Sequence, residues 1–503
     1  MRFTTRKKNT EDQNLSLKKE IGLLQGVGIV IGIIIGSGIF VSPVGVLAQS
    51  RSVGLSLVMW FVTGVVSALG AIVYAELGVT IPKSGGEYTY IFETFGPFPA
   101  FIAMWSTFVV VGTVGCAVNS LAFAQYILRP LYFTCDIPES TLHMVAILAL
   151  LTLCFINCYR VTWATRLSVV FTVCKVSALL LIIGFGCYYL ARGSTRSFEN
   201  PFEDSATSPA ALASAFYQGF WAFQGWNYLN FLTGEMKNPA RTLPIVIVLS
   251  LSIVTSIYLL VNVAYLAVLS PFEVLSSGDG SAAVAVIFAS RAMGFMAWII
   301  PIFVGASVFG SINGEILSLS RICFTASERG HMPVILSMVS VTNLTPIPSV
   351  LAVVLISVFL QLFDDLFFLI ELTGFAFTVV STIAVCSLLH IRRTNPDLNQ
   401  SSFRLPIWMP VLYLIINIGI GVFSIYDAPS KALISIGVIA ISIPIYIVGV
   451  AWTNKPRAVR SFLCEFVKCT FIGCYRFFFS ELCRQKPWYK LSQVLNASLS
   501  HQI

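Results

Sequence analysis

Glycine, serine and glycine follow one another at Gly36, Ser37 and Gly38, within "GIIIGSGIF", inside an apolar run that begins near Ile21. In hydrocarbon every backbone N–H and C=O needs a partner, so an unwound segment is tolerated there only beside a cavity. Glycine lowers the cost of unwinding and lets a ligand approach the main chain. The N–H groups that open the half-helix after such a break form a site for a carboxylate, and freed carbonyls accept from an ammonium. A zwitterionic amino acid carries both charges. The rival reading is helix packing, because Gly28, Gly32 and Gly36 also form small-xxx-small steps. A nucleotide loop does not fit, since no Gly-Lys-Thr/Ser follows and no strand precedes.

A second apolar stretch decides between them. "YQGFWAFQGWNYLNF" sets Gly219 and Gly225 among Trp221, Phe223, Trp226 and Tyr228. Interrupted spans at corresponding places in two halves point to a midplane substrate site in an inverted-repeat transporter. Lys175, in "TVCKVSALLL", is an ammonium well inside a third apolar stretch, where a charge is costly and marks function by default. The bland alternative is a lysine that snorkels to the interface. The chain's 12 cysteines have no metal-ligand spacing, and no metal or cofactor is expected. Cys135, in "LYFTCDIPEST", falls in a loop where oxidation is possible. It is either an unpaired thiol or half of an intermolecular disulfide.

The elements that must position these residues are membrane helices. Of 503 residues, 56% are hydrophobic and 11% charged, and mean hydropathy is +0.84, too much apolar surface for a soluble protein of this length to hide. The fold class expected is an all-α polytopic membrane protein. Segments of roughly 20 apolar residues fall near 22–49, 54–79, 98–128, 141–158, 164–191, 209–233, 243–269, 295–324, 346–363, 366–391, 406–426 and 431–452. The basic segment 1–21 is read as a cytoplasmic tail leading into an uncleaved first span. With that end inside, 24 Lys and Arg residues face the cytoplasm and six face out, which puts both termini inside. The sequons at Asn14, Asn343 and Asn496 then lie on the cytoplasmic side, away from glycosylation.

The stretches "IIIGSGIFVSP", "YAELGVTIPKSGGEYTYI", "FGPFPAF", "GWNYLNFLTGEMKNPARTLP" and "NVAYLAVLSP" together resemble the light chains of heteromeric amino-acid transporters, the LAT family of the APC superfamily. The likeness runs from about Ser16 to Trp452 and points most to the cystine and dibasic amino-acid exchanger type. It implies a LeuT-like fold: a first repeat over 22–191, a second, inverted repeat over 209–391, and two further helices over 406–452. The first and sixth spans would be broken. It implies sodium-independent exchange of amino acids at the plasma membrane. By carry-over, the backbone around Ile34, Gly36, Ser37 and Gly38 would hold the substrate carboxylate and part of its ammonium. Trp221, Gln224 and Gly225 would take the rest, with the Trp221 ring as a lid and Asn227 and Tyr228 as supports. Lys175 would occupy the place of a sodium ion. Cys135 would bond to a single-pass type II heavy-chain glycoprotein.

Departures from the family pattern bear on substrate. The dibasic exchanger has an aspartate in its second break where this chain has Gln224, which lowers the expectation for lysine and arginine. Ile33 stands where relatives place threonine and favours larger neutral or aromatic substrates. Glu315, in "GSINGEILSLSR", and Glu371, in "FFLIELTGFAF", stand where relatives have small or neutral residues, and either would restore affinity for cations, pair with an arginine, titrate with pH or simply be an interfacial carboxylate. Glu76 and Glu87 read as gate or folding contacts. The segment 453–503 is basic and aromatic and holds Cys464, Cys469, Cys474 and Cys483. It reads as an amphipathic or acylated helix on the inner leaflet rather than a zinc site. A channel lacks its polar pore face here, and an enzyme lacks acidic partners for His143 and His390. A transport-inactive amino-acid sensor, and an exchanger of cystine and cationic amino acids, remain the rivals to a neutral amino-acid exchanger.

Overall fold

The computed structural model describes residues 22–83, 85–132, 137–159, 161–276, 284–338, 345–362, 366–394, 403–427 and 429–452. All elements among the described residues are helical. The chain begins with α1 (Leu23–Ile34) and α2 (Gly38–Ser50), two halves bent by 53° about Ile35, Gly36 and Ser37. Then come α3 (Val53–Thr80), α4 (Gly86–Phe95) and α5 (Pro97–Trp105), which passes through a π-helical turn at Ser106–Gly112 into α6 (Thr113–Leu128). Next are α7 (Glu139–Tyr159) and α8 (Val161–Ala191).

The second half opens with α9 (Pro209–Phe223), followed by a 3₁₀ stretch at Trp226–Glu235 and α10 (Pro239–Val268). Short α11 (Pro271–Ser276) and α12 (Val284–Ala292) precede α13 (Ile299–Glu328), α14 (Ile347–Leu360) and α15 (Leu366–Thr394). Last come α16 (Trp408–Asp427), α17 (Pro429–Ala440) and α18 (Ser442–Tyr446). Proline stands in the first turn of α5, α9, α10 and α14, where its missing N–H leaves no helical bond unmade.

Among the described residues, nine segments are long and apolar enough to cross a membrane, and the bent α1–α2 pair makes a tenth. The remaining two of the twelve expected spans take other forms. Residues 209–233 are a 15-residue α-helix continued by 3₁₀ turns, because Gly225 takes φ +111 and stops the α-helix after Phe223. The α14 helix has 14 residues, about 21 Å at 1.5 Å per residue, shorter than a hydrocarbon core. Three helices lie where the sequence reads as connections. In α4 the acids and tyrosines of "GEYTYIFETF" hide its apolar stripe, yet Tyr88, Tyr90 and Ile91 are buried. The others are α11 and α12.

The central helices carry the site. The α10 helix packs on α3, α8 and α1, α13 packs on α6 and α8, and α2 packs on α9. The span through α5 and α6 is 83% buried, against 17% for α16 and 11% for the span of α17 and α18. The last two spans are therefore peripheral, with Ile415, Val422, Leu433 and Ile434 exposed as a lipid-facing surface would be. At one end of the bundle Glu76 of α3 pairs bidentately with Arg392 of α15, at 2.5 and 2.9 Å. Glu76 also accepts from the Leu405 N–H at 3.1 Å. Glu76 thus makes a structural ion pair, in keeping with the gate or folding contact expected of it.

Candidate substrate site between two helix breaks

The two interruptions meet. A methyl carbon placed on Gly38 would lie 2.3 Å from Ala222 Cα, and one on Gly225 would lie 2.7 Å from Ile33 Cγ2. Glycine at position 38 lets the start of α2 and the end of α9 approach at backbone distance, and glycine at position 225 admits the Ile33 side chain of α1. Ile33, expected to line the pocket, packs against Gly225 of the other break.

A broken helix must settle the carbonyls of its last turn. Ile31 O accepts from the Ile35 N–H at 3.0 Å, a normal helical bond. Gly32 O accepts from Lys175 Nζ of α8 at 2.9 Å, and the same ammonium donates to Ser311 Oγ of α13, also at 2.9 Å. Lys175 is 2% exposed, so it does not snorkel. Ile34 O accepts from the Tyr258 hydroxyl of α10 at 3.1 Å. That hydroxyl lies 2.9 Å from Ala222 O, in the last turn before the second break. One phenol of α10 therefore ties both breaks together.

Further polar side chains adjoin the breaks. Ser37 Oγ donates to Asn119 Oδ1 of α6, and Asn119 Nδ2 donates to Glu315 Oε1 of α13 at 2.7 Å. Asn227, in the 3₁₀ stretch, donates to Glu87 Oε1 of α4 at 2.8 Å, with both residues buried. Trp221 is buried, and its O accepts from the Gln224 N–H at 3.3 Å, a tight turn that ends α9. Gln224 itself is only half-buried. The arrangement offers helix N-terminal N–H groups at Gly38 and beyond, an aromatic wall at Trp221, and a polar cluster of Ser37, Asn119 and Glu315.

The expected residues Ile34, Gly36, Ser37, Gly38, Trp221, Gln224, Gly225 and Asn227 all fall on the two breaks, and Lys175 reaches the first. Glu315 comes into the same region, while Glu371 lies away from it, near Tyr217. Cys135, Asn343, the segments 1–21 and 453–503, and the tail cysteines lie outside the described residues. Sequence reading missed Tyr258, Asn119 and Ser311. Each is a polar side chain in an apolar span, and Asn119 stood out most, in "GCAVNSLAF".

A family model described as amino acid permease matches residues 21–450. The chain is 40% identical to the human cystine/glutamate transporter over 448 residues, 89% of this chain and 88% of that protein. It is 40% identical to the rat large neutral amino acids transporter small subunit 2 over 452 residues, covering 89% and 84%. Against the mouse Asc-type amino acid transporter 1 it is 39% identical over 453 residues, covering 90% and 84%.

Proposed function

The chain belongs to the amino acid permease family and is a multi-pass membrane protein that transports amino acids, not an enzyme, and on that premise we propose that it is a sodium-independent exchanger of neutral, including aromatic, L-amino acids. The observation that carries this reading is the convergence of two unwound segments on one hydroxyl, that of Tyr258. Ile34, Gly36, Ser37 and Gly38 bind the substrate carboxylate at the start of α2. Trp221, Gln224, Gly225 and Asn227 form the facing wall and share the ammonium with the freed carbonyls. Lys175 acts as a tethered cation. Its contacts, a backbone carbonyl and a serine hydroxyl, are oxygen ligands of the kind that hold sodium. A fixed charge there leaves no place for a travelling one.

Residues 22–191 and 209–391 form the two inverted repeats, each opened by its broken helix, with 406–452 adding the peripheral pair. The chain works as a light subunit disulfide-linked through Cys135 to a type II glycoprotein heavy chain. It acts in the plasma membrane with both termini in the cytoplasm, as the distribution of Lys and Arg supports.

The test is efflux of preloaded labelled leucine, tyrosine, arginine and cystine from cells expressing the chain with a candidate heavy chain, in sodium-free medium. The expected result is leucine and tyrosine efflux that rises only when an external amino acid is supplied. Efflux that ignores the external amino acid would refute exchange. Surface-expressed protein with no efflux of any of the four would favour the sensor reading.

A further inference from the structure

Beside the breaks stands a group that neutral substrates leave without a task, the Glu315 carboxylate. It stands on α13 one helical turn after Ser311, which receives the Lys175 hydrogen bond. The Asn119 amide fixes Oε1 at 2.7 Å, and Asn119 in turn receives the Ser37 hydroxyl at the head of α2. The other oxygen, Oε2, is buried without a hydrogen bond of ordinary geometry. The Cys116 thiol, a weak donor, and the Lys175 ammonium bear on the carboxyl group. Among the described residues no cation pairs with it within 4 Å.

The direction of Oε2 matters. A methyl carbon on Gly115 would lie 3.7 Å from Glu315 Oε2 and also 3.7 Å from Trp221 Cη2. Bare glycine on α6 thus leaves the carboxylate facing the rim of the Trp221 ring. The carboxylate thus stands between the Ser37–Asn119 link at the head of α2 and the Trp221 ring. A buried carboxylate with one oxygen unsatisfied keeps a desolvation cost that an arriving cation offsets, and that an arriving anion worsens.

We propose that Glu315 supplies from α13 the counter-charge that Gln224 does not supply in the second break. The site then admits amino acids with cationic side chains alongside neutral ones, and excludes acidic ones. Arginine fits best, because its planar guanidinium donates from a fixed fork while its stem lies along the Trp221 ring. The inference rests on the reading that the breaks bind the substrate's carboxylate and ammonium.

Two measurements on the full chain with its heavy chain test it. The first is competition of external arginine and glutamate against labelled leucine exchange in proteoliposomes. The second is the shift in thermal unfolding that each amino acid causes in detergent. In the unaltered chain arginine competes and stabilises, and glutamate does neither. In Glu315→Gln the affinity ratio of arginine to leucine falls roughly tenfold or more, and in Glu315→Asp it falls less. An unchanged ratio in Glu315→Gln, or no effect of arginine on the unaltered chain, overturns the proposal. Absence of leucine exchange in the unaltered chain would bring down the exchange reading instead. Thermal shifts with arginine, in the unaltered chain and in Glu315→Gln, would still decide what Glu315 does.

Discussion

Tyr258 has a single proton for two carbonyls, Ile34 O at 3.1 Å and Ala222 O at 2.9 Å, and shares it as a three-centre bond. Both carbonyls sit where a helix has ended, so neither has the N–H that a continuous helix would provide. Tyr258→Phe keeps the ring, which packs edge-on to Trp60 at 5.7 Å between centroids and also against Phe223. It removes only the hydroxyl. The expected cost is about 1–3 kcal/mol, the usual range for leaving buried acceptors unsatisfied. It appears as a lower unfolding temperature and as slower leucine exchange with little change in surface expression. Exchange and unfolding equal to those of the unaltered chain would mean the breaks do not depend on this bridge. Lys175 differs, since its position was readable from sequence as a charge where none is cheap, whereas a tyrosine in "TSIYLLVN" carries no comparable signal.

At the scale of elements, the glycines of the first span separate cleanly. A methyl carbon on Gly28 meets nothing within 4 Å, whereas on Gly38 it meets the backbone of Ala222 at 2.3 Å. The small-xxx-small reading, which treats Gly28, Gly32 and Gly36 alike, therefore fails at Gly28. The tightest constraint falls instead just after the bend, at the start of α2. Gly28→Ala is expected to leave unfolding and exchange unchanged or slightly improved, since alanine favours helix by up to about 1 kcal/mol. Gly38→Ala forces two backbones apart and should cost at least the roughly 1–3 kcal/mol of an overpacked core. Its readout is loss of exchange in membranes that still contain the protein. Equal tolerance of both substitutions would show that α2 and α9 need not touch at this point. The breaks themselves were legible because glycines interrupt two apolar stretches at corresponding places in the two halves, Gly36 and Gly38 in one and Gly219 and Gly225 in the other. The 3₁₀ run after Gly225 and the helicity of α4 were not, because both depend on packing against neighbours distant in sequence.

For the whole molecule, the twelve apolar stretches announced the class and most of the spans, but their order of burial came only with tertiary contacts. Hydropathy is alike for Pro97–Leu128 and Trp408–Tyr426, at 2.0 and 1.9, yet one is 83% buried and the other 17%. What holds the buried helices in register at one end is polar. Arg392 Nε donates to Glu76 Oε1 at 2.9 Å, and its Nη2 donates to Leu405 O at 2.9 Å. Glu76 thus joins Arg392 and Leu405, more than 300 residues further along the chain, through one guanidinium and one carboxylate, whose side chains are 6% and 2% exposed. Two charges out of water repay their desolvation only as a pair. Arg392→Met leaves the Glu76 carboxylate buried alone, and the expected loss is about 3–5 kcal/mol. Glu76→Gln combined with Arg392→Met removes both charges and should cost less than Arg392→Met alone, although it deletes more hydrogen bonds. Unfolding temperatures of the two variants, measured in the same detergent, decide the matter. A double variant less stable than Arg392→Met alone would assign the stability to the hydrogen bonds with Leu405 instead of to the charge pair.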